Sequence, residues 1–494
     1  MIQLQLSEEK YEYDVRGLLM AFYPHEEIVK VSWGSGDDGS WRRQLLVEYQ
    51  KDTAVITLSC REEETVLSRQ AQAQMQWAAA GLSSPEGSRA KSAVKRRVYE
   101  LLTGDTNRVL PWGTLTGIRP TKIAMGMVEQ GMTDEEIVAC MKSTYLVNDE
   151  KSALSAEIAR REKALLEKLD YENGCSLYVG IPFCPTTCLY CSFTSYPIGR
   201  YEGQSDGYVA ALERELTATA ELLGKKKLNT VYFGGGTPTT LTPLQLERLL
   251  ERIREAFDLS KLKELTVEAG RPDSITPEKL RALKKHGVSR ISINPQTMKQ
   301  ETLDLIGRRH SVEQVREAFH MARELGFDNI NMDLILGLPR ETIDDVRFTM
   351  EEIKRLRPDS VTVHSLAVKR AARLNQLWEQ YAHMSMENSD ETMTAASSAA
   401  RELGMYPYYL YRQKNMAGNL ENVGFAAPGK EGLYNILIME EKQSIVACGA
   451  GATTKMVTGD GRIRRADNVK DVALYLEKVD EMIERKRRLL TEEA

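Results

Sequence analysis

The sequence lacks the features that mark membrane-spanning and secreted proteins. No uninterrupted apolar stretch approaches the roughly 18 residues that a membrane-spanning helix needs. The N-terminus has neither the basic region nor the apolar core of a secretory signal. Seven cysteines in 494 residues are too few and too unevenly spaced for a disulfide framework. We therefore expect a cytoplasmic protein that does not span a membrane.

An excess of basic residues is also lacking. The chain has 66 Lys and Arg against 71 Asp and Glu, which gives a formal net charge of −5. A weakly acidic chain disfavours charge-driven binding of nucleic acid, so we expect no nucleic-acid partner. Hydrophobic residues make up 42% and charged residues 28% of the chain, which is the composition of an ordinary globular protein. This composition excludes a mainly disordered or collagen-like chain.

The N-terminal third has a different pattern from the rest and predicts a separate α+β domain over residues 1–171. Alternating apolar residues predict a pair of strands, and later stretches with helical spacing predict helices. The predicted strands are 45–49 and 54–58, and the predicted helices are 61–80, 88–103 and 149–169.

From residue 172 onward, strands alternate with amphipathic helices, which predicts an α/β fold with a parallel sheet. The pattern fits either an open sheet or one curled into a partial barrel, and barrel enzymes place their active sites at the strand C-termini. The predicted strands are 177–181, 230–233, 264–268, 290–294, 330–335 and 360–364, and the helices are 208–223, 244–257, 277–285, 312–325 and 343–357.

Residues 369–494 are predicted to form a short C-terminal α+β extension that covers the active site. Its pattern predicts a long helical region over 370–404, then short strands and a Gly-rich turn at 449–451. A final charged helix is predicted from about residue 467 to 490.

Three closely spaced cysteines directly follow the first of these strands. Cys184, Cys188 and Cys191 are separated by three and then two residues. Thiolates are soft ligands that suit zinc and iron–sulfur clusters. A structural zinc ion usually has four protein ligands, and the histidine nearest in sequence is His286. Three ligands on one loop suit a [4Fe–4S] cluster with one open iron; the alternative is three unrelated buried thiols.

The spacing Cys-x3-Cys-x2-Cys resembles the cluster motif of the radical S-adenosylmethionine (SAM) enzymes. The preceding run Tyr178-Val-Gly-Ile-Pro-Phe resembles the oxygen-independent coproporphyrinogen III oxidase (dehydrogenase) family. Within that family, residues 112–122 and 408–424 look most like the HemZ branch. The resemblance implies a partial (β/α)6 TIM-like barrel, the radical SAM core, over residues 172–368.

The resemblance also implies which residues bind the cofactors. Cys184, Cys188 and Cys191 would hold the [4Fe–4S] cluster. Gly236 and Thr237, in a Gly-rich strand end, would hold the amino end of the methionine part of SAM. A tight turn explains the same glycines equally well.

Five further positions match SAM contacts of the family. Glu268 ends the third strand, Gln296 follows the fourth, and Arg308 would pair with a carboxylate. Asp333 would reach the ribose hydroxyls, and the backbone of Ala367 would meet adenine. Read singly, each is an ordinary surface or turn residue, and their joint order along the strands favours the site.

Tyr178 matches a family tyrosine beside the cluster, where it would contact the cofactors and take part in catalysis. A tyrosine packed in the core is an equally good interpretation. Gly449-Ala-Gly-Ala452 with Thr453 resembles a run that helps bind a second SAM, although a Gly-rich turn is the more cautious interpretation.

The activity implied is oxidative decarboxylation of two propionates of coproporphyrinogen III to vinyls, which gives protoporphyrinogen IX. An electron from flavodoxin or ferredoxin would cleave SAM, and the 5′-deoxyadenosyl radical would abstract hydrogen. Basic side chains should line the pocket of this tetrapyrrole substrate. The candidates are Arg271, Lys369, Arg370, Arg412 and Lys414.

Two positions depart from the family pattern. Phe193 stands where the oxidases carry a fourth cysteine, and Arg271-Pro stands where Asn-Pro or Asp-Pro is usual. Three alternatives therefore stay open. One is a haem-binding trafficking protein of the HemW branch, which shares Cys-x-Phe. The others are a radical enzyme that opens or methylates haem, and a radical enzyme that modifies nucleic acid.

Overall fold

The computed structural model describes residues 1–24, 26–36, 39–62, 65–75, 85–117, 119–201, 203–369, 371–381, 383–386, 388–413, 420–459 and 461–491. The chain divides into two compact units. The N-terminal unit is Met1–Glu157 with Arg412–Leu420, and the barrel unit is Ile158–Tyr411 with Glu421–Ala494. The predicted division at residues 171 and 368 stays a prediction.

The N-terminal unit is built on a mixed sheet in the order β2–β1–β3–β4–β5, in which β1 runs parallel to β2 and β3. Apolar side chains of this sheet and of α1 and α2 form the core of the unit. Its elements are β1 (Ile2–Leu6), α1 (Glu12–Phe22), β2 (Ile28–Lys30), β3 (Arg43–Tyr49), β4 (Thr53–Glu62), β5 (Thr65–Gln74), α2 (Pro85–Thr106), α3 (Thr121–Glu129), α4 (Asp134–Tyr145) and the first half of α5 (Asp149–Leu166).

The helix predicted over 61–80 is wrong. Thr65–Gln74 is strand β5, paired antiparallel with β4 from Thr53↔Gln74 to Glu62↔Thr65. Nearly all its side chains are exposed, so no buried apolar alternation reveals the strand, and the ladder with β4 decides its conformation. Residues 63, 64 and 76–80 lie outside the described part of the chain.

The barrel unit alternates strands and helices. Its elements after α5 are β6 (Gly174–Ile181), β7 (Phe183–Cys184), β8 (Tyr196–Pro197), α6 (Ser205–Leu223), β9 (Lys227–Gly235), α7 (Pro243–Ala256), β10 (Glu264–Glu268), α8 (Pro277–Lys285), β11 (Arg290–Ser292), α9 (Gln300–Leu305), α10 (Val312–Glu324), β12 (Ile330–Leu336), α11 (Ile343–Leu356), β13 (Ser360–Ser365), α12 (Arg373–Gln376), α13 (Trp378–Tyr381), α14 (Asp390–Glu402), β14 (Tyr406–Tyr411), β15 (Asn422–Ala426), α15 (Leu433–Glu440), β16 (Ile445–Cys448), β17 (Thr453–Val457), β18 (Ile463–Asp467), α16 (Val472–Glu477) and α17 (Val479–Thr491).

Within the described residues, eleven strands form one sheet in the order β14–β15–β13–β12–β11–β10–β9–β6–β16–β17–β18. The six predicted strands are β6 and β9–β13, which lie side by side in chain order and pair in parallel. A helix follows each of the first five. This is the topology of a partial (β/α)6 barrel, so the predicted fold class is confirmed.

The helices between these strands form because each has one apolar face and a polar cap at its start. Thr242, Ser311 and Thr342 cap α7, α10 and α11 with capping boxes, which satisfy free backbone N–H groups of the first turn. Their apolar faces pack on a sheet whose strands are buried on both sides. The packed helices fix the strand C-termini, where the candidate site lies.

The C-terminal region is more broken than predicted. In place of one helix over 370–404, the described residues form two short helices, α12 and α13, and then α14; residues 370, 382 and 387 lie outside the described part. The predicted final helix begins later, because 463–467 is strand β18, and it is divided into α16 and α17. Among the described helices, none combines the length and apolarity that a bilayer span requires.

Candidate active site

The cysteine loop, residues 184–191, leaves the sheet just beyond β6. Cys184 ends the short strand β7, which pairs with β8. The rest of the loop is tied to the turn after α9. Leu189 N donates to Ile306 O at 2.9 Å, and Thr186 Oγ1 donates to Gly307 O at 3.0 Å. The loop is therefore anchored at both ends of its span.

The three thiols of the loop lie in a shared buried region. Burial raises the pKa of Cys184 to about 11, opposed by a hydrogen bond with Thr237, and the neighbouring Cys191 and Cys188 add to the rise. Burial also raises the pKa of Cys191. Because a metal ligand must be a thiolate, a bound cation would have to deprotonate these groups.

Each sulfur of the loop has a polar neighbour. Cys184 Sγ lies 3.4 Å from Thr237 Oγ1, and Cys191 Sγ lies 3.7 Å from a serine hydroxyl, Ser195 Oγ. Arg271 Nη1 donates to Cys188 Sγ at 3.7 Å. These contacts favour sulfur atoms that carry negative charge.

In the described part of the chain, no group of three or more His, Cys, Asp or Glu side chains closes around a single metal ion. A zinc ion holds each sulfur at about 2.3 Å, so its ligands must converge closely. A cuboidal iron–sulfur cluster is larger and takes its cysteines from farther apart. The three soft thiols stand on one loop and are near enough to affect one another's pKa, and this donor set fits such a cluster.

Gly236 lies directly under the cysteine loop. Its N–H donates to Ile181 O at 2.7 Å, and Thr237 N donates to Phe183 O at 2.7 Å. A Cβ on Gly236 would lie 2.5 Å from Phe183 O and 3.0 Å from Cys184 Sγ. The backbone after β9 and the start of the loop therefore approach as closely as only glycine allows.

Glu268 ends β10 beside a stack of tyrosines. Its carboxylate accepts a short hydrogen bond from the hydroxyl of Tyr232. Burial raises the pKa of Glu268 to about 7; the Tyr232 hydrogen bond opposes this rise and the charge of Asp333 adds to it. This carboxyl is therefore close to its midpoint at neutral pH.

Tyr178 lies in the same stack. Its ring is 6.3 Å from that of Tyr232 at 13°, and Tyr434 of α15 stacks on Tyr232 at 4.4 Å and 20°. Burial holds the pKa of Tyr178 above its usual range, so the phenol stays protonated. Tyr178 lies in the middle of β6 rather than at its end.

Gln296 and Asp333 meet through their backbones. Gln296 N donates to Asp333 O at 3.0 Å, and Gln296 has a positive φ of 69°. The side chain of Gln296 is 8% exposed, and its Oε1 has no hydrogen-bond partner. Positive φ and an unsatisfied buried oxygen are both typical of a residue held in place for a ligand.

The carboxylate of Asp333 faces polar neighbours within the sheet. Burial alone would raise its pKa, but hydrogen bonds from His364 and Asn331 outweigh burial and lower the pKa below its usual value. Asn331 Nδ2 donates to Oδ1 at 2.7 Å, and His364 Nε2 lies 3.7 Å from Oδ2. Asp333 is thus an ionised acceptor, although it lies inside β12 and not at its end.

Arg308 is buried below the cysteine loop. Its Nη2 donates to Gly270 O at 2.7 Å and to Asn294 O at 2.6 Å, and its Nη1 donates to Tyr190 OH at 3.1 Å. Its Nε has no partner. Asn294 also accepts from Asp333 N at 3.1 Å, so Arg308 is linked to the group around Gln296 and Asp333.

The structure therefore connects most of the predicted site residues through direct contacts. Thr237 and Gly236 touch the loop, and hydrogen bonds link Gln296, Asp333 and, through Asn294, Arg308 into one polar group. Glu268 is bonded instead to Tyr232. Ala367 lies two residues beyond β13. The roles predicted for all these residues stay predictions.

Three residues around the site escaped the sequence analysis. Tyr232 binds Glu268, Tyr190 lies between Cys188 and Arg308, and His364 faces Asp333. Tyr190 could have been predicted, because it stands between Cys188 and Cys191 in the motif. The contacts of Tyr232 and His364 could not, because they depend on which strands are neighbours in the sheet.

The basic residues predicted to line a substrate pocket are dispersed. Arg271 is bonded to the cysteine loop, and Lys369 Nζ lies 5.8 Å from the exposed ring of Phe193. Arg412 belongs to the N-terminal unit, where it donates to Leu115 O at 2.5 Å. Arg370 and Lys414 lie outside the described residues.

The Gly-rich turn at 449–451 packs against β6. A Cβ on Gly449 would lie 2.3 Å from Gly180 O, and Gly449 N donates to the buried carboxylate of Glu215 at 2.7 Å. Thr453 Oγ1 donates to Asp467 at 2.5 Å. A second SAM at Thr453 stays a prediction.

Comparison with known proteins identifies the family. The model of the radical SAM superfamily matches residues 178–353. The chain is 42% identical over 405 residues to the oxygen-independent coproporphyrinogen-III oxidase-like protein HemZ of Bacillus subtilis, which covers 81% of each chain. It is 34% identical over 280 residues to the haem chaperone HemW of the same organism, which covers 56% of this chain and 70% of HemW.

A solved structure agrees with this assignment. Coproporphyrinogen III oxidase (HemN) from Escherichia coli, described as a radical SAM enzyme, superposes with a TM-score of 0.52 and 25% identity. The match covers 65% of this chain and 73% of that one. With its cysteine loop and its parallel barrel sheet, the chain belongs to the radical SAM superfamily and, within it, to the family of HemZ, the oxygen-independent coproporphyrinogen III oxidase-like proteins.

Proposed function

We propose that this protein is a radical SAM oxidoreductase that converts coproporphyrinogen III to protoporphyrinogen IX without oxygen. The observation that carries the proposal is the cysteine loop seated on Gly236 and Thr237, together with the polar group of Gln296, Arg308 and Asp333 that hydrogen bonds link. The identity to HemZ and the likeness to HemN support a tetrapyrrole as the substrate class.

The cofactors proposed are a [4Fe–4S] cluster and SAM. Cys184, Cys188 and Cys191 would hold the cluster. When bound and reduced by flavodoxin or ferredoxin, the cluster would supply the electron that cleaves SAM and so generates a carbon radical. The protein's own contribution is to bind, orient and shield these groups.

The residues beside the loop have the chemistry to bind SAM. The backbone of Gly236 and the carboxylate of Glu268 suit its cationic amino end, and Arg308 Nε is a free donor for its carboxylate. The free Oε1 of Gln296 and the ionised Asp333 suit hydroxyl donors such as those of ribose. Ala367 offers its backbone to the base.

Tyr178 would line the site with its aromatic ring, and its phenol hydroxyl stays protonated. Its stack with Tyr232 and Tyr434 forms an aromatic wall next to Glu268, which would limit the access of water to the site. Exclusion of water protects a radical from side reactions. On each of two substrate propionates, formation of a vinyl group releases CO2, one hydrogen atom and one electron. The hydrogen atom would go to the 5′-deoxyadenosyl carbon and the electron back to the oxidised cluster, so that one SAM would be the net oxidant for each propionate.

The test is anaerobic turnover of the reconstituted protein with SAM, dithionite and coproporphyrinogen III, with products followed by mass spectrometry. We expect protoporphyrinogen IX and 5′-deoxyadenosine to form together and both to vanish in Cys188→Ala. Cys140→Ala is the matched control, because Cys140 lies on α4 of the N-terminal unit and should not affect turnover.

The two products separate the parts of the proposal. If 5′-deoxyadenosine forms while the porphyrinogen is unchanged, the radical chemistry stands and the substrate is wrong. If the protein assembles no cluster, the assignment of the three cysteines is wrong.

A second candidate function is haem binding, as in the haem chaperone HemW. Phe193, two residues beyond Cys191, is 71% exposed and has the Lys369 ammonium 5.8 Å from its ring. An exposed aromatic ring beside a cation suits the face of a porphyrin and one propionate. Titration with haem, followed by absorbance, should give a saturable signal that weakens in Phe193→Ala; an unchanged titration excludes this surface.

A further inference from the structure

Arg271 lies at an unusual place in the barrel. It follows Glu268 by three residues, at the start of a short 3-10 turn, Pro272–Ser274, after β10. Its side chain is only 3% exposed, which is rare for arginine unless every donor is used. It is therefore part of the inner wall and not a surface residue.

The guanidinium is held in one orientation by a bidentate ion pair. Arg271 Nε donates to Asp273 Oδ1 at 2.9 Å, and Nη2 donates to Asp273 Oδ2 at 2.7 Å. Such fork-to-fork pairs fix the plane of the guanidinium. The third nitrogen, Nη1, is left to point away from Asp273.

That third nitrogen points at the cysteine loop. Nη1 donates to Thr186 O at 3.2 Å, to Thr186 Oγ1 at 3.1 Å and to Cys188 Sγ at 3.7 Å. Arg271 thus joins the end of β10 to the middle of the loop. A residue that only anchored the loop backbone would not need the contact with Cys188 Sγ.

We propose that Arg271 tunes the iron–sulfur cluster by donating a hydrogen bond to the sulfur of Cys188 and so raises the cluster's reduction potential. This inference rests on the proposed cluster. Hydrogen bonds to ligand sulfurs and nearby positive charge both stabilise the more negative, one-electron-reduced state. Asp273 is the positioning residue that orients the donor.

The experiment is a redox titration of the reconstituted protein, with the reduced cluster measured by EPR. Removal of the donor and its charge in Arg271→Gln should make the midpoint potential more negative. At a fixed solution potential we expect the reduced-to-oxidised ratio to fall about tenfold, which corresponds to about 59 mV for one electron. Arg271→Lys keeps the charge but cannot form the bidentate pair with Asp273, so its midpoint potential should lie between those of the unaltered protein and Arg271→Gln.

Arg281→Gln is the matched control. Arg281 lies on α8 with its side chain 62% exposed, and its loss removes the same charge from an exposed ion pair with Glu278. Its midpoint should equal that of the unaltered protein. Iron content and the thermal midpoint of each variant are measured in parallel.

The outcomes are distinguishable. Equal midpoints in Arg271→Gln, Arg271→Lys and Arg281→Gln overturn the inference and leave the proposed function standing. Loss of the cluster from both Arg271 variants also overturns it, because Arg271 would then be a structural anchor of the loop. If the unaltered protein binds no cluster, the proposed function itself fails.

Discussion

The charge of Glu268 in the candidate site changes near neutral pH, because burial raises the pKa of this carboxyl. Its pKa is raised to about 7, chiefly by burial, whereas the pKa of Asp333 is lowered by its hydrogen bonds. The two carboxyls therefore have different charges at pH values between the lowered pKa of Asp333 and the raised pKa of Glu268, about 7. A cationic ligand beside Glu268 would favour its ionised form.

The affinity for SAM should depend on pH through Glu268. The amino group and sulfonium of SAM are cationic, so binding is strongest when Glu268 is ionised. As the pH rises from 5.5 to 7, the free protein loses its proton at Glu268 while the amino group of SAM stays largely protonated, and we expect the dissociation constant to fall. Glu268→Gln should bind more weakly and show a flat profile, measured by isothermal titration calorimetry.

Glu341→Gln is the control for this pH dependence. Burial raises the pKa of Glu341 to about 7 as well, but its carboxylate accepts from Thr297 Oγ1 at 2.5 Å, and it lies in a small cavity shared with Gln296 and not beside Glu268 and its tyrosines. Glu341→Gln should show the same dependence of the SAM dissociation constant on pH as the unaltered protein. Loss of the slope in Glu341→Gln and its retention in Glu268→Gln would contradict the assignment.

At the scale of elements, the connection after β9 supports the cysteine loop. Gly236→Ala places a methyl group 2.5 Å from Phe183 O and 3.0 Å from Cys184 Sγ, so the loop has to move. We expect the variant to bind clearly less iron and sulfide per chain after reconstitution. Gly207→Ala, in α6 with nothing within 4 Å of the added Cβ, should load normally. Normal loading of Gly236→Ala would show that the close approach is unimportant.

The last helix is held to the barrel unit by a buried ion pair. Lys486 of α17 donates to Glu215 of α6 at 2.6 Å, and their side chains are 1% and 0% exposed. Glu215 also accepts from Tyr475 OH at 2.5 Å and from Gly449 N at 2.7 Å. This single carboxylate joins α6, α16, α17 and the Gly-rich turn.

Lys486→Met should therefore destabilise the barrel unit. It leaves a buried carboxylate without its cation, and we expect the free energy of unfolding to fall by about 3–5 kcal/mol, measured by urea denaturation. Lys478→Met removes an exposed cation 4.0 Å from Glu481, and its cost should stay below about 0.5 kcal/mol. Equal costs for the two variants would show that burial of the pair is unimportant.

The sequence predicted the elements whose apolar pattern matches their burial. The observed bounds of β10 and α8 are those predicted, since a run of buried residues and a Thr-Pro start mark them clearly. Strand β5 was missed because its side chains are exposed and only its ladder with β4 makes it a strand. Local pattern cannot report a partner strand.

The candidate site divides in the same way. The cysteine spacing and the Gly-rich strand end are local signals, and both lie where the sequence predicted. The contact of Arg271 with Cys188 joins residues 83 positions apart, and that of Tyr232 with Glu268 joins residues 36 apart. Such contacts follow from the order of strands in the sheet, and the resemblance to known enzymes did not supply them.

At the scale of the whole molecule, each compact unit has a core of its own. The core of the N-terminal unit consists of residues from β1 to α2 and a few beyond, all before residue 158. Four of the five tryptophans, at 33, 41, 77 and 112, precede that residue, whereas the cysteine loop belongs to the barrel unit. Tryptophan fluorescence and cluster absorbance therefore report mainly on different units.

The two units should respond separately to core substitutions. Leu45 of β3 and Leu177 of β6 are both fully buried, and truncation of such a leucine costs about 2–5 kcal/mol. We expect Leu45→Ala to lower the denaturant midpoint seen by fluorescence and to leave the loss of cluster absorbance unchanged, with the reverse for Leu177→Ala. A common shift of both signals in either variant would show that the units unfold as one, because a single cooperative transition transmits a local loss to every probe.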